Sequence, residues 1–133
     1  MKTFLDSGVL ISAWRGNSLR SDLARQILAD EGREFISSEA VKLELLPKPT
    51  YEKRHTETQF YQQYFALATS EPFSAELGRE ALALAKKHGL AAVDALHLAS
   101  AIRQGAAEFI TAEQPDKPMF RMAAIKVFSL HGF

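Results

Sequence analysis

The sequence carries its most informative stretch at residues 89–99, which read GLAAVDALHLA. The pattern predicts a helix over Val93–Arg103, since apolar residues recur along it and Gly105 ends it. Asp94 lies in the first turn of this otherwise apolar helix. A carboxylate at that position either interacts with the helix macrodipole or is paired with a cation, because burying it unpaired costs several kcal/mol.

Short apolar runs and helical patterns alternate along the rest of the chain. Four runs are too short for helices and rich in aromatic or β-branched residues. They predict strands at Thr3–Leu5, Glu34–Ser37, Glu108–Thr111 and Ile125–Phe128. Further helices are predicted at Leu19–Asp30, Ser38–Leu46, Tyr51–Thr69 and Ala75–His88, with an irregular loop over 46–51 where two prolines occur. Strands separated by helices favour parallel pairing, so we expect a three-layer α/β fold with a central parallel sheet of about four to five short strands.

Composition narrows the function classes. The chain has 133 residues, which predicts a single domain over residues 1–133. It has 16 basic and 16 acidic residues, so any binding of nucleic acid must use a local patch of cations rather than the overall charge. It has no cysteine, which excludes disulfides, thiolate zinc sites and cysteine nucleophiles. No apolar run has the length of a secretory or membrane segment, so we expect a cytoplasmic protein.

Three more acids occupy positions where a carboxylate is costly. Asp6 directly follows the first predicted strand, and Glu113 follows the third. Because the carboxyl ends of parallel strands meet at one edge of a sheet, the two acids are expected close together. Glu44 lies between two leucines of an apolar helix. With Asp94 the set offers the hard oxygen ligands that Mg²⁺ or Mn²⁺ requires.

Each of these three acids also has a structural interpretation. Asp6 would cap a short helix at Ser7–Trp14, and Glu44 would be the polar edge of an amphipathic helix. Glu113 would be an ordinary loop acid, and Asp116 is placed equally well. The cluster as a whole, rather than any single acid, predicts the metal site.

Four segments resemble, in order, the motifs of the PIN domain family. They are Leu5–Ile11 (LDSGVLI), Ser38 followed by Glu44-Leu45, Gly89–Ala99, and Phe109–Glu113 at the place of the fourth motif. The resemblance spans essentially the whole chain, and the length fits the single-domain VapC-type toxins. It implies a PIN-like fold and a metal-dependent endoribonuclease that hydrolyses RNA with Mg²⁺ or Mn²⁺. It also implies a homodimer, and a small antitoxin that completes a type II toxin–antitoxin pair.

Carried over by position, the resemblance makes Asp6, Glu44 and Asp94 catalytic metal ligands. The fourth position departs from the family, which usually has Asp two residues after the Thr, where this chain has Glu113. Glutamate reaches one methylene further and can still ligate; Asp116 is its rival. The departure supports an alternative, a catalytically silent PIN-like binding module. A third hypothesis is another small metal-dependent phosphoesterase.

Residues around the acids suggest supporting roles. His97 lies one helical turn beyond Asp94, and its position suits either core packing or a place beside the metal ligands. Two groups of cations are candidates for phosphate contacts. They are Lys42, Lys48, Lys53 and Arg54 after Glu44, and Lys86, Lys87 and His88 before Asp94.

Overall fold

Five short strands form one parallel sheet in the computed structural model, which describes residues 1–132. The strands are β1 (Lys2–Leu5), β2 (Glu34–Ser38), β3 (Thr69–Glu71), β4 (Glu108–Thr111) and β5 (Lys126–Ser129). Their order across the sheet is β3-β2-β1-β4-β5, and every neighbouring pair is parallel. The prediction of an α/β fold with a central parallel sheet is confirmed.

Seven helices and one 3₁₀ turn connect the strands. They are α1 (Ser7–Arg15), α2 (Leu19–Leu28), α3 (Glu39–Leu45), α4 (Pro47–Tyr51), α5 (His55–Leu67), α6 (Ala75–His88), α7 (Ala92–Arg103) and the 3₁₀ turn Pro118–Arg121. Each crossover between parallel strands needs such a connection, which is why helices separate the strands along the chain. None of the helices among the described residues is long and apolar enough to span a bilayer.

The core is centred on β1, which pairs with β2 on one side and β4 on the other. Phe4 and Leu5 are fully buried, and the ring of Phe4 stacks on Phe109 of β4 at a centroid distance of 5.4 Å. Strands covered by helices on both faces are apolar throughout, rather than alternating, and the short runs of the sequence show that pattern.

Two predicted segments differ from the structure, and one strand is not predicted from the sequence. The 46–51 segment, expected to be a loop, contains α4, because Pro47 stands at the start of that helix where its missing N–H costs nothing. The helix expected over Tyr51–Thr69 covers only His55–Leu67. Thr69 instead opens β3, a three-residue polar strand that the apolar pattern did not indicate.

Candidate metal centre

Asp6 stands at the junction between β1 and α1. It is the N-cap of α1, and its Oδ1 accepts a hydrogen bond from the backbone N–H of Ser7 at 2.7 Å. Its Oδ2 accepts from the Thr111 hydroxyl at 2.9 Å, across the neighbouring strand β4. The expected capping role is therefore present. Two donors from two elements also fix the orientation of this buried carboxylate.

Asp94 lies in the first turn of α7 and is half-buried. Burial raises the pKa of Asp94, and the negative charges of Asp6 and Glu113 raise it further. The N-cap residue of this helix, Ala91, provides no side-chain capping bond. An acid held in such surroundings is typical of a functional site.

Glu44 of α3 faces the same region, and its Oε1 lies 2.5 Å from Nε2 of the fully buried His97. A carboxylate can only accept, so Nε2–H donates to Glu44. The other ring nitrogen, Nδ1, has no hydrogen-bond partner among the described residues. The bond with His97 lowers the pKa of Glu44 despite burial, which acts to raise it. Nε2 is also 3.8 Å from Oδ1 of Asp6.

Glu113 lies in the loop that follows β4, two residues after the strand ends at Thr111. Its backbone N–H donates to the Thr111 hydroxyl at 3.1 Å, and its carbonyl accepts from Ser129 at 2.6 Å. These bonds anchor the loop on both sides. Asp116, the rival fourth acid, is exposed and lies outside the cavity that Glu113 lines.

All four predicted acids line one cavity of about 220 Å³. They come from four different elements and are joined there by Ser7, Gly8, Val93, Thr111 and Ala112. In the described part of the chain this lining contains no lysine or arginine. Gly8 permits the close approach of α1 to the β4 loop, since a Cβ at this position would lie 3.0 Å from that of Ala112.

The arrangement fits a hard divalent cation. Carboxylate oxygens line a space into which no lysine or arginine of the described residues reaches, and divalent cations of this kind favour such oxygens. Ligand-capable atoms of Asp6, Glu44 and His97 lie within 4.8 Å of one another. His97 packs in the core and also bonds a site acid, so both interpretations of its position hold. The helical spacing from Asp94 was its only signal in the sequence.

The comparisons with known proteins agree on the fold. The PIN domain family model matches residues 3–114. Among solved structures, a toxin–antitoxin complex from Klebsiella pneumoniae is 17% identical with a TM-score of 0.72, covering 98% of this chain and 99% of that one. VapBC2 from Rickettsia felis, bound to a promoter DNA fragment, is 18% identical with a TM-score of 0.70 and coverages of 97% and 98%. FitAcB from Neisseria gonorrhoeae is 20% identical with a TM-score of 0.69 and coverages of 98% and 99%. No curated protein sequence matches the chain.

Proposed function

The chain belongs to the PIN domain family, and from this premise we propose that it is a metal-dependent endoribonuclease, the toxin of a type II toxin–antitoxin pair. One observation carries the proposal. Carboxylates from four elements line a single cavity that, among the described residues, no cationic side chain enters. Hydrolysis of a phosphodiester requires a site that can neutralise phosphoryl charge and activate a water, and acids grouped in this way hold the ion that does so.

Asp6, Glu44, Asp94 and Glu113 would hold the ion, Mg²⁺ or Mn²⁺. When bound, it would supply an activated water and charge neutralisation for the phosphoryl group. Ser7 and Thr111 aim the carboxylate of Asp6 into the cavity through their bonds to its two oxygens. Preorganised carboxylates of this kind do not have to reorient when substrate arrives.

His97 acts in this proposal as a positioning residue. Its bond lowers the pKa of Glu44 and fixes the position of one carboxylate oxygen. The imidazole is itself held by core packing, with its ring 6.1 Å from that of Phe4. Glu44 therefore gains a fixed direction although its side chain is 37% exposed.

Protein partners form the second part of the proposal. The Klebsiella pneumoniae structure with the same fold is described as a toxin–antitoxin complex, which supports a small antitoxin here. Large apolar side chains on consecutive helices are exposed, with Leu43 at 66%, Tyr51 at 88% and Leu67 at 83%. Apolar groups in these positions suit a protein interface, either with an antitoxin or in a homodimer. RNA as substrate would assign the protein to the cytoplasm.

Cleavage of structured RNAs tests the enzyme proposal. The wild type should cut them with Mg²⁺ or Mn²⁺ and lose activity in EDTA. Asp94→Asn and Glu113→Gln should reduce cleavage by about two orders of magnitude or more, as loss of a group that positions the ion does. Asp116→Asn is the matched control, because it removes an acid of the same loop that lies outside the cavity.

Other results would select the alternatives. RNA binding without cleavage under any metal would indicate a silent binding module. Hydrolysis of small phosphodiesters with RNA left intact would indicate a different phosphoesterase. Equal loss in Asp116→Asn and Glu113→Gln would contradict the choice of the fourth acid.

A further inference from the structure

A second cavity, lined by cations, adjoins the acidic one. It has a volume of about 120 Å³ and shares Glu44 with the candidate metal centre. Arg15, Lys48 and Arg54 line it. Two neighbouring cavities of opposite charge thus meet at one carboxylate.

The acids of this cationic cavity already have partners. Glu57 accepts from the Tyr61 hydroxyl at 2.9 Å and pairs with Arg54 at 3.1 Å. Glu44 accepts from His97, as described above. Within residues 1–132, Arg15 and Lys48 form neither an ion pair nor a side-chain hydrogen bond. The cavity therefore has two cations available for an anion from outside the chain.

The two segments that carry Arg15 and Lys48 also carry two of the acids, Asp6 and Glu44. Helix α1 begins after Asp6 and ends at Arg15, which lines the cationic cavity. Leu46 keeps helical backbone angles between α3 and α4, so Glu44 and Lys48 are spaced like neighbours on one helical face. The positions of the two cavities relative to each other are therefore fixed by short, regular elements.

We propose that the cationic cavity binds an RNA phosphate next to the one that is cleaved, with Arg15 and Lys48 as its contacts. The inference rests on the proposed function. A nucleic acid strand presents phosphates in sequence, so one can face the acidic centre and its ion while the next faces the cations. An acidic peptide lacks this regular series of phosphates, and competition between the two ligands decides which of them the cations prefer.

Binding rather than cleavage is the primary test. Fluorescence anisotropy should measure the affinity of a short single-stranded RNA in EDTA across a series of salt concentrations. Arg15→Gln/Lys48→Gln should weaken binding about ten-fold at low salt and reduce the salt slope by about 0.7, the value for one phosphate contact to a single strand. Arg15→Lys/Lys48→Arg, which retains both charges, should restore most of the loss.

Lys86→Gln/Lys87→Gln is the matched control, because these two cations, although candidates for phosphate contacts by sequence, line neither cavity in the structure. It should leave the affinity and salt slope near the wild-type values. Unaltered binding by the Arg15/Lys48 variant, an equal loss in the Lys86/Lys87 control, or no RNA binding by the wild type would overturn the inference. Competition by polyglutamate as effective as that by RNA would also overturn it, in favour of an acidic protein.

A second readout separates this inference from the proposed function. With Mg²⁺ or Mn²⁺, bis(p-nitrophenyl) phosphate offers only one phosphodiester and cannot reach both cavities. The Arg15/Lys48 variant should lose more kcat/KM on RNA than on this substrate, with its KM for RNA raised. If the wild type binds RNA through these residues but cleaves nothing, the cavity assignment stands and the nuclease proposal fails. If the wild type cleaves RNA and the variant shows no change in KM, the cavity assignment fails alone.

Discussion

Burial and neighbouring carboxylates both oppose the ionised form of Asp94. We therefore expect metal-free Asp94→Asn to melt a few degrees higher than the metal-free wild type, as about 1 kcal/mol of relieved repulsion would give. Its loss of helix-dipole stabilisation, about 0.3–1 kcal/mol, offsets part of this gain. Adding Mg²⁺ or Mn²⁺ should stabilise the wild type more than the variant, because only the native state holds the site. Melting curves in EDTA and in excess metal measure both effects.

The sign of the pH dependence follows from the raised pKa of Asp94. A carboxyl group with a higher pKa in the folded state destabilises that state at neutral pH, and the penalty fades as pH falls toward the ordinary value of 3.8. The difference in melting temperature between variant and wild type should shrink over that range. A variant that melts lower in EDTA, together with a wild type that does not respond to metal, would make Asp94 a purely structural residue.

His97 gives a prediction about metal affinity. His97→Phe keeps an aromatic ring against Phe4 but removes the bond to Glu44. Losing a partner that orients a ligand typically costs 10–100-fold in metal affinity, and we expect about that loss for Mn²⁺ by titration calorimetry. His97→Gln, which retains an N–H donor, should recover part of it. Wild-type affinity in His97→Phe would show that Glu44 does not need this partner.

At the scale of elements, the contact between α1 and the β4 loop controls the width of the cavity. Gly8→Ala would bring a methyl group to 3.0 Å from the Cβ of Ala112, so the loop carrying Glu113 must move by a few tenths of an ångström. We expect RNA cleavage to fall about ten-fold, since small displacements at a site of this kind are costly. Kinetic constants for RNA cleavage measure the effect.

Gly78→Ala provides the comparison. This glycine lies inside α6, and apart from its chain neighbours and the backbone of its own helix, no atom of the described residues lies within 4 Å of the position a Cβ would occupy. Its replacement should stabilise the protein by about 0.5–1 kcal/mol and leave cleavage unchanged. If both variants cleave RNA equally well, the α1 contact has no influence on the site.

The elements that the sequence predicted well are those with an apolar signal. β1 and β4 are short apolar runs followed by acids, so both the strands and the convergence of Asp6 and Glu113 at one edge could be predicted. β3 could not, because Thr69–Glu71 is polar and forms by pairing with β2 at the edge of the sheet. The two prolines of segment 46–51 predict an irregular loop rather than α4. Pro47 nevertheless suits the first turn of a helix, which is where the structure has it. The bond between His97 and Glu44 joins residues 53 apart in sequence, and no local pattern reveals it.

In the whole molecule, the two ends of the sheet have different electrostatics. At the amino end of β4, the buried Glu108 accepts from Thr3 at 2.8 Å and from Arg33 at 3.0 Å. Arg33 also pairs with Asp30. The buried carboxylate of Glu108 is therefore neutralised, whereas among the described residues no lysine or arginine lines the cavity that Asp6, Glu44, Asp94 and Glu113 share. On the proposed function, this division places stability at Glu108 and chemistry at the cavity.

Arg33→Gln tests this division. It leaves the carboxylate of Glu108 buried without its charged partner, and removing one member of a largely buried pair costs about 3 kcal/mol. We expect a clear loss of stability in chemical denaturation, while the KM and kcat of the folded variant stay at wild-type values. A large change in kcat would mean that the two ends are coupled through the sheet.

The central position of β1 has a consequence for synthesis on the ribosome. Thr3 of β1 pairs with Glu108 of β4, so β1 lacks one of its two neighbouring strands until β4 has been synthesised. The acids of the cavity are distributed in the same way, from Asp6 near the beginning to Glu113 in the last quarter of the chain. Contacts so distant in sequence form late in folding. A growing chain therefore cannot assemble the four-acid cavity until the segment that carries Glu113 has been translated.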